Sequence, residues 1–307
     1  MILKIGTRGS KLAMTQSLWV KEKIEAKHPQ VRVELVKIKT TGDKILDSPL
    51  SKVGGKGLFV KEIEEALLEK RVDLAVHSMK DVPAELPDAL MLSTFPERED
   101  PRDALISLDN RTLDQLPPGA KVGTSSLRRG AQLLHIRPDL KLLSLRGNVD
   151  TRLRKLTFGE LSAIILATAG LKRLGLEDRI TQVISCEKVL PAVGQGALGL
   201  EVRRGDTQTM GLIDFMNHEP TEITVRTERA FLEKLEGGCQ VPIAGFATLD
   251  RETVHFTGMV AELDGSRLIR DEISGNKNQA EELGVTLAGK LLKDGAAEIL
   301  ERVYGAI

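Results

Sequence analysis

Aromatic residues are scarce in this chain, which has one Trp, one Tyr and seven Phe among 307 residues. So few rings leave little platform for stacking single-stranded nucleic acid. Cysteine is scarcer still, and its two copies, Cys186 and Cys239, stand far apart with no Cys-x-x-Cys pairing. Neither a disulfide framework nor a zinc site is indicated, and five scattered histidines suggest no other metal site. No apolar run approaches membrane-spanning length, so no membrane role is expected. The opening Met1-Ile2-Leu3-Lys4-Ile5-Gly6 lacks the cationic region, apolar core and cleavage site of a signal peptide, which predicts a cytoplasmic protein. Net charge is also absent, since 44 basic residues face 44 acidic ones. The distribution is more telling. Residues 121–155 hold nine basic residues against two acids, whereas residues 219–307 hold ten against sixteen. A neutral chain with one concentrated basic region reads as a binder of small anions rather than of nucleic acid.

What is present is an alternation of strands and helices, in a chain long enough for two or three domains. A strand at 3–5 is followed by Gly6-Thr7-Arg8-Gly9-Ser10 and a helix at 11–27 with Ser10 as its N-cap. A strand at 31–38, a loop at 40–57 carrying Lys52 and Lys56, a helix at 58–70 and a strand at 73–76 complete a parallel arrangement. Residues 96–101, with two prolines and several charges, suit a linker. Beyond it the plan repeats. Lys121-Val122-Gly123-Thr124-Ser125-Ser126 echoes Lys4 to Ser10, followed by a strand at 141–145, a helix at 149–156, a strand at 163–167 and a helix near Leu171. A glycine-rich crossing at 191–196 then enters a strand at 198–202 that returns to the first unit, giving two lobes and a hinge. A helix at 222–235, strands at 243–248, 254–260 and 267–273, and a helix at 279–292 predict a small α+β domain with an antiparallel sheet. The expected division is 1–97 with 198–217, then 102–190, then 220–307.

Three places concentrate chemistry. In Leu74-Ala75-Val76-His77-Ser78-Met79-Lys80-Asp81-Val82-Pro83 a buried strand gives way to a hydroxyl, an ammonium and a carboxylate. Either the strand exits into a solvated turn or the polar groups form a reaction site at its carboxyl end. Alternation sends Ala75 and His77 to one face and Val76 and Ser78 to the other, so His77 reads as a structural residue before a catalytic one. The two Gly-Thr turns each aim a helix N-terminus and cations, Arg8 in one and Arg128 with Arg129 in the other, at one place. With Arg146, Arg152 and Arg173 added, guanidinium forks for several carboxylates are available. Arg154, Lys155 and Lys141 read as solvated surface charge. In Gly237-Gly238-Cys239-Gln240-Val241-Pro242 the thiol is either a reactive or attachment group or a small buried apolar residue.

Six motifs, in order, make the chain resemble the porphobilinogen deaminases, also called hydroxymethylbilane synthases. They are Ile5-Gly6-Thr7-Arg8-Gly9-Ser10-Lys11-Leu12-Ala13, Lys52-Val53-Gly54-Gly55-Lys56-Gly57-Leu58-Phe59, Val76-His77-Ser78-Met79-Lys80-Asp81-Val82-Pro83, Gly123-Thr124-Ser125-Ser126-Leu127-Arg128-Arg129, Leu145-Arg146-Gly147-Asn148-Val149-Asp150-Thr151-Arg152 and Gly238-Cys239-Gln240-Val241-Pro242. The resemblance implies two periplasmic-binding-protein-like lobes with the active site between them, a third domain, and a monomeric enzyme. It implies a dipyrromethane cofactor on Cys239, onto which four porphobilinogen units are added head to tail with loss of ammonia to give hydroxymethylbilane. Asp81 matches the catalytic carboxylate. Lys80, Ser126, Arg128, Arg129 and Arg146 match cofactor-binding positions, Arg8, Ser10, Arg152 and Arg173 substrate-binding positions, and Lys52, Lys56 and Phe59 a mobile loop. The chain departs from the family's pattern at residues 157–162, which lack a Tyr-Asp pair, and at Phe246, where Tyr is frequent.

Overall fold

Strand β1 (Ile2–Thr7) runs into helix α1 (Lys11–Lys27), which starts where the Ser10 hydroxyl accepts the Ala13 N–H at 3.3 Å. That bond satisfies one of the amides a helix start leaves unpaired. Gln16, Ser17, Val20 and Ile24 recur on one helix face and are buried. Next come β2 (Arg32–Lys37), α2 (Lys61–Leu68), β3 (Leu74–Ser78) and β4 (Leu90–Thr94). Here α2 is shorter than the expected 58–70, because Lys70 takes a left-handed φ of 58° beyond its end. The expected loop at 40–57 opens instead with a helical turn at Thr41–Lys44. The computed structural model describes residues 1–44, 57, 59–236 and 241–306, so Lys52, Lys56 and Cys239 lie outside the described residues.

The second series is β5 (Asp103–Ser107), β6 (Lys121–Gly123), α3 (Leu127–Ile136), β7 (Lys141–Leu143), α4 (Val149–Thr157), β8 (Ala163–Ala167), α5 (Thr168–Arg173) and β9 (Gln182–Ile184). Strand β7 stops short of the expected 145, because Leu145 turns away to exchange hydrogen bonds with the Ser125 hydroxyl, both 2.9 Å. Strand β10 (Leu198–Arg203) then returns to the first sheet, where it lies antiparallel between β3 and β4. The two five-stranded sheets have matching orders, β2-β1-β3-β10-β4 and β7-β6-β8-β5-β9. In each, three parallel strands are followed by one antiparallel strand donated by a crossing segment. This is a two-lobed α/β fold, each lobe built on one mixed five-stranded sheet. Each sheet is covered on both faces; in the first lobe Val76 packs with Leu3, Ile5 and Val20, while Ala75 packs with Ile63 and Leu67 of α2. Burying each such side chain contributes roughly 1.5–3 kcal/mol.

The crossings are packed together rather than linker-like, which corrects the expectation for 96–101. Gly196 has φ of 90°, and a Cβ there would lie 2.3 Å from the Glu99 carbonyl oxygen. Only glycine permits so close an approach. Arg98 donates to both oxygens of Glu228, at 2.6 and 3.1 Å, and Glu228 is fully buried. The same carboxylate accepts the N–H groups of Gly194 and Ala247, so it joins both crossings to the third domain. Removing one partner of such a buried pair costs about 3–5 kcal/mol.

The third domain comprises α6 (Glu219–Lys234), the antiparallel strands β11 (Ile243–Asp250), β12 (Thr253–Ala261) and β13 (Leu268–Asn276), α7 (Ala280–Leu291) and α8 (Ala297–Ala306). Its helices pack on the sheet through an apolar core that includes Phe231, Phe256, Leu287 and Ile299. Phe231 meets Phe256 edge to face at 5.1 Å.

Candidate active site

In each lobe the strand order reverses around one strand, β1 between β2 and β3, and β6 between β7 and β8. Such reversals open a crevice at the carboxyl ends of the strands. Those ends carry Arg8, Ser10 and residues 78–81 in the first lobe, and Ser126, Arg128 and Arg129 in the second.

At the end of β3 a single 3-10 turn, Met79–Asp81, is closed by the Val82 N–H on the Met79 carbonyl at 3.1 Å. Met79 is buried among Val82, Phe95, Ala197 and Val225, which fixes the turn and leaves Lys80 and Asp81 half-buried at the crevice. Ser78 faces α1 and bonds Gln16 at 2.9 Å. His77 faces the other way and bonds Glu201 at 2.8 Å, with both groups buried. Burial and the nearby Arg129 push the Lys80 ammonium down to about 8, with Asp81 and Asp103 pulling the other way.

In the second lobe the Ser126 hydroxyl caps α3 by accepting the Arg129 N–H at 3.4 Å. Arg128 and Arg129, side chains 5% and 7% exposed, converge on one fully buried carboxylate. Arg128 Nη2 reaches Asp103 Oδ2 at 2.8 Å, while Arg129 Nε and Nη2 reach Oδ1 at 3.0 and 2.7 Å. Burial alone would raise Asp103, but the two guanidiniums outweigh it and hold its carboxyl well below the usual range. The Gln195 side chain from the second crossing donates to the same carboxylate at 2.9 Å. Sequence reasoning missed Asp103 and Gln195. The signal available was an acid opening the otherwise apolar Asp103-Ala104-Leu105-Ile106, and an amide between two glycines.

Arg152 Nε donates to the Gly147 carbonyl at 2.8 Å. Burial and Arg129 lower Arg152 to about 10, and Asp81 of the first lobe opposes that shift. Asp81 of the first lobe and Arg152 of the second are thus within electrostatic reach of each other, as are Arg146 and Arg152. Arg173, lowered to about 10 by burial, donates to the Gly196 carbonyl at 2.7 Å and so stands beside the second crossing. The Arg8 guanidinium sits 4.2 Å from the centre of the Phe59 ring, a cation–π contact that joins the β1 turn to the segment before α2. Arg154, Lys155 and Lys141 are exposed, as their reading as surface charge anticipates. Cys186 is half-buried, and burial raises its thiol.

This donor set of hydroxyl, ammonium and guanidinium groups around few carboxylates suits an anionic, multiply carboxylated group. Two protein-family models match the chain, "Porphobilinogen deaminase, dipyromethane cofactor binding domain" over residues 3–211 and "Porphobilinogen deaminase, C-terminal domain" over 222–293. The chain is 57% identical over 302 residues to the porphobilinogen deaminase of Geobacter sulfurreducens, covering 98% of this chain and 95% of that one. It is also 57% identical over 309 residues to that of Nitratidesulfovibrio vulgaris, covering 99% and 98%. Likeness to solved structures is fainter, and the VFT2 domain of Bordetella pertussis BvgS aligns with 69% of this chain and 85% of its own at 14% identity and a TM-score of 0.43. On motif order, matching domain models and identity over nearly the whole length, the chain belongs to the porphobilinogen deaminase family.

Proposed function

We propose that this protein is a transferase that joins four porphobilinogen units head to tail, releasing ammonia, to give the linear tetrapyrrole hydroxymethylbilane. The observation that carries the reading is the half-buried Asp81 carboxylate on the turn ending β3, in a crevice whose other lobe presents Arg128 and Arg129 at the equivalent strand end. The cofactor of this family fits the residues present, since each pyrrole of a dipyrromethane brings two carboxylates. Lys80, Ser126, Arg128, Arg129 and Arg146 would hold it, with Cys239 as its attachment. When bound, the dipyrromethane supplies the terminal pyrrole to which the first unit is joined.

The chain's own residues do the remaining work. Arg8, Ser10, Arg152 and Arg173 bind the acetate and propionate groups of the incoming unit, with bidentate forks that fix its orientation. Ser10 and Ser126 each cap a helix through the oxygen, which leaves the hydroxyl proton to donate to a carboxylate. Asp103, by orienting two guanidiniums from behind, presets the second lobe for anions. The Asp81 carboxylate, set among these cations, stabilises the positive charge that develops as ammonia leaves, and passes protons. The Arg8–Phe59 contact ties the segment before α2 to the β1 turn, while Lys52 and Lys56, which match the family's mobile loop, lie outside the described residues.

The domain division of 1–97 with 198–217, 102–190 and 220–307 accords with this assignment of roles. We place the protein in the cytoplasm as a monomer; among the described residues no helix is long and apolar enough to cross a membrane. Incubation with porphobilinogen tests the function. Ammonia and hydroxymethylbilane are expected in a ratio of four to one, and binding without turnover would instead support a two-lobed carboxylate binder.

A further inference from the structure

Helix α6 of the third domain carries a cation outside the set assigned to cofactor or substrate. Arg229 donates through Nη2 to the carbonyls of Pro83 and Ala84, both at 2.8 Å, and through Nη1 to that of Val82 at 3.5 Å. These are the three residues that directly follow Asp81. Among the described residues no backbone N–H reaches any of the three carbonyls, so the segment leaving the Asp81 turn is fixed chiefly from the side-chain direction. A planar fork suits this task, because its N–H groups diverge toward separate acceptors in one plane. Val225, one turn earlier on α6, packs in the same apolar cluster as Met79 and Val82, so a second contact from this helix supports the same turn. Arg229 is largely removed from water, which lowers its pKa, while Glu233 on its own helix and Glu201 on β10 oppose that shift. A guanidinium kept charged in such a place strengthens its bonds to carbonyl dipoles.

We propose that Arg229 is a positioning residue for the reaction, holding the backbone at 82–84 so that Asp81 is presented to the substrate. The inference rests on the reading of Asp81 as the reactive carboxylate. It gives the third domain a part in catalysis beyond carrying Cys239, since one helix both leads toward that cysteine in sequence and grips the turn bearing Asp81. A displacement of about 1 Å at a reacting group costs on the order of 100-fold in rate. Arg229 touches only the backbone beyond Asp81, so a smaller loss is anticipated from its removal.

The test compares Arg229→Met, Arg229→Lys, Asp81→Asn and Leu287→Ala, each with cofactor content verified by intact mass. Leu287 is fully buried in the third-domain core, far in sequence from the turn, and serves as a measure of destabilisation alone. In Arg229→Met, kcat is expected to fall roughly tenfold or more, with KM for porphobilinogen changed less than about threefold. Arg229→Lys, which keeps charge and donors, should recover most of that loss. Leu287→Ala should lower Tm at unchanged kcat. The proposal is overturned if Arg229→Met turns over within twofold of the parent, if its effect falls on KM alone, or if Leu287→Ala loses as much kcat for the same drop in Tm. Should Asp81→Asn be inactive while Arg229→Met is normal, the positioning role fails and the Asp81 reading stands. Should Asp81→Asn be normal, both fail.

Discussion

The two lobes share a sheet order and a strand-to-helix turn capped by serine, yet they place opposite chemistry at the crevice. The first brings the half-buried Asp81 and Lys80 on a short turn held by Met79. The second brings Arg128 and Arg129 on the first turn of a helix, locked from behind by the fully buried Asp103. On the proposed reading the half-buried carboxylate of one lobe is the reacting group, while the carboxylate buried beneath the other orients two guanidinium forks. The scaffold repeats while the division of labour between reacting and binding is set by which residues occupy equivalent strand ends.

The largest effect expected from breaking this division is at Asp81. Asp81→Asn keeps shape and removes charge, and should lower kcat by roughly 100- to 10,000-fold at near-normal Tm, as measured by porphobilinogen turnover and thermal unfolding. On the binding side, Arg129→Leu should lose carboxylate binding in cofactor assembly or chain extension. It also leaves Asp103 with one guanidinium instead of two, so stability should fall by about 3 kcal/mol in urea unfolding. Arg152→Leu is the cleaner variant. Its guanidinium bonds only the Gly147 carbonyl among the described residues, so KM should rise roughly tenfold or more with little loss of stability.

These expectations depend on features of unequal visibility in the sequence. The lobe repeat was legible because Gly-Thr-x-x-Ser and Gly-Thr-Ser-Ser each mark a strand end, a turn and a cap. The face assignments of His77 and Ser78 followed from alternation alone, and the structure places them so. Strands β4 and β5 escaped notice. Leu90 to Thr94 and Asp103 to Ser107 are short, and the partners that complete them lie over a hundred and about sixty residues away in the chain. The segment at 96–101 looked like a linker because its charges suggested solvent; Arg98 is instead paired with the fully buried Glu228, which no local pattern reveals. Asp103 was hidden for the same reason, as its partners Arg128 and Arg129 become neighbours only through folding.

Two smaller effects sharpen the contrast. Lys80, lowered to about 8, is protonated at neutral pH and loses its charge as pH rises through that value. Carboxylate binding should weaken accordingly, so kcat/KM should decline above about pH 8, and Lys80→Arg should move the decline upward. The smallest concerns the back of the first lobe's sheet, where burial and Glu201 raise Glu64 to about 7 from 4.5. Because its folded pKa lies above the unfolded one, the associated stability is full below 4.5 and lost as pH rises through about 7. Glu64→Gln should therefore be more stable than the parent at about pH 8 and no more stable at about pH 4.5. Glu64 is partly exposed, and with solvent screening the gain should be about 1 kcal/mol in urea unfolding.

Both lobes matter only if the crevice between them works on a primer held by the third domain. The intact masses of the purified protein and of Cys239→Ala test this most directly. The expected result is a parent protein heavier than its sequence by a dipyrromethane, and a variant that has lost both the excess mass and turnover. A parent at its sequence mass that still converts porphobilinogen to hydroxymethylbilane would contradict it.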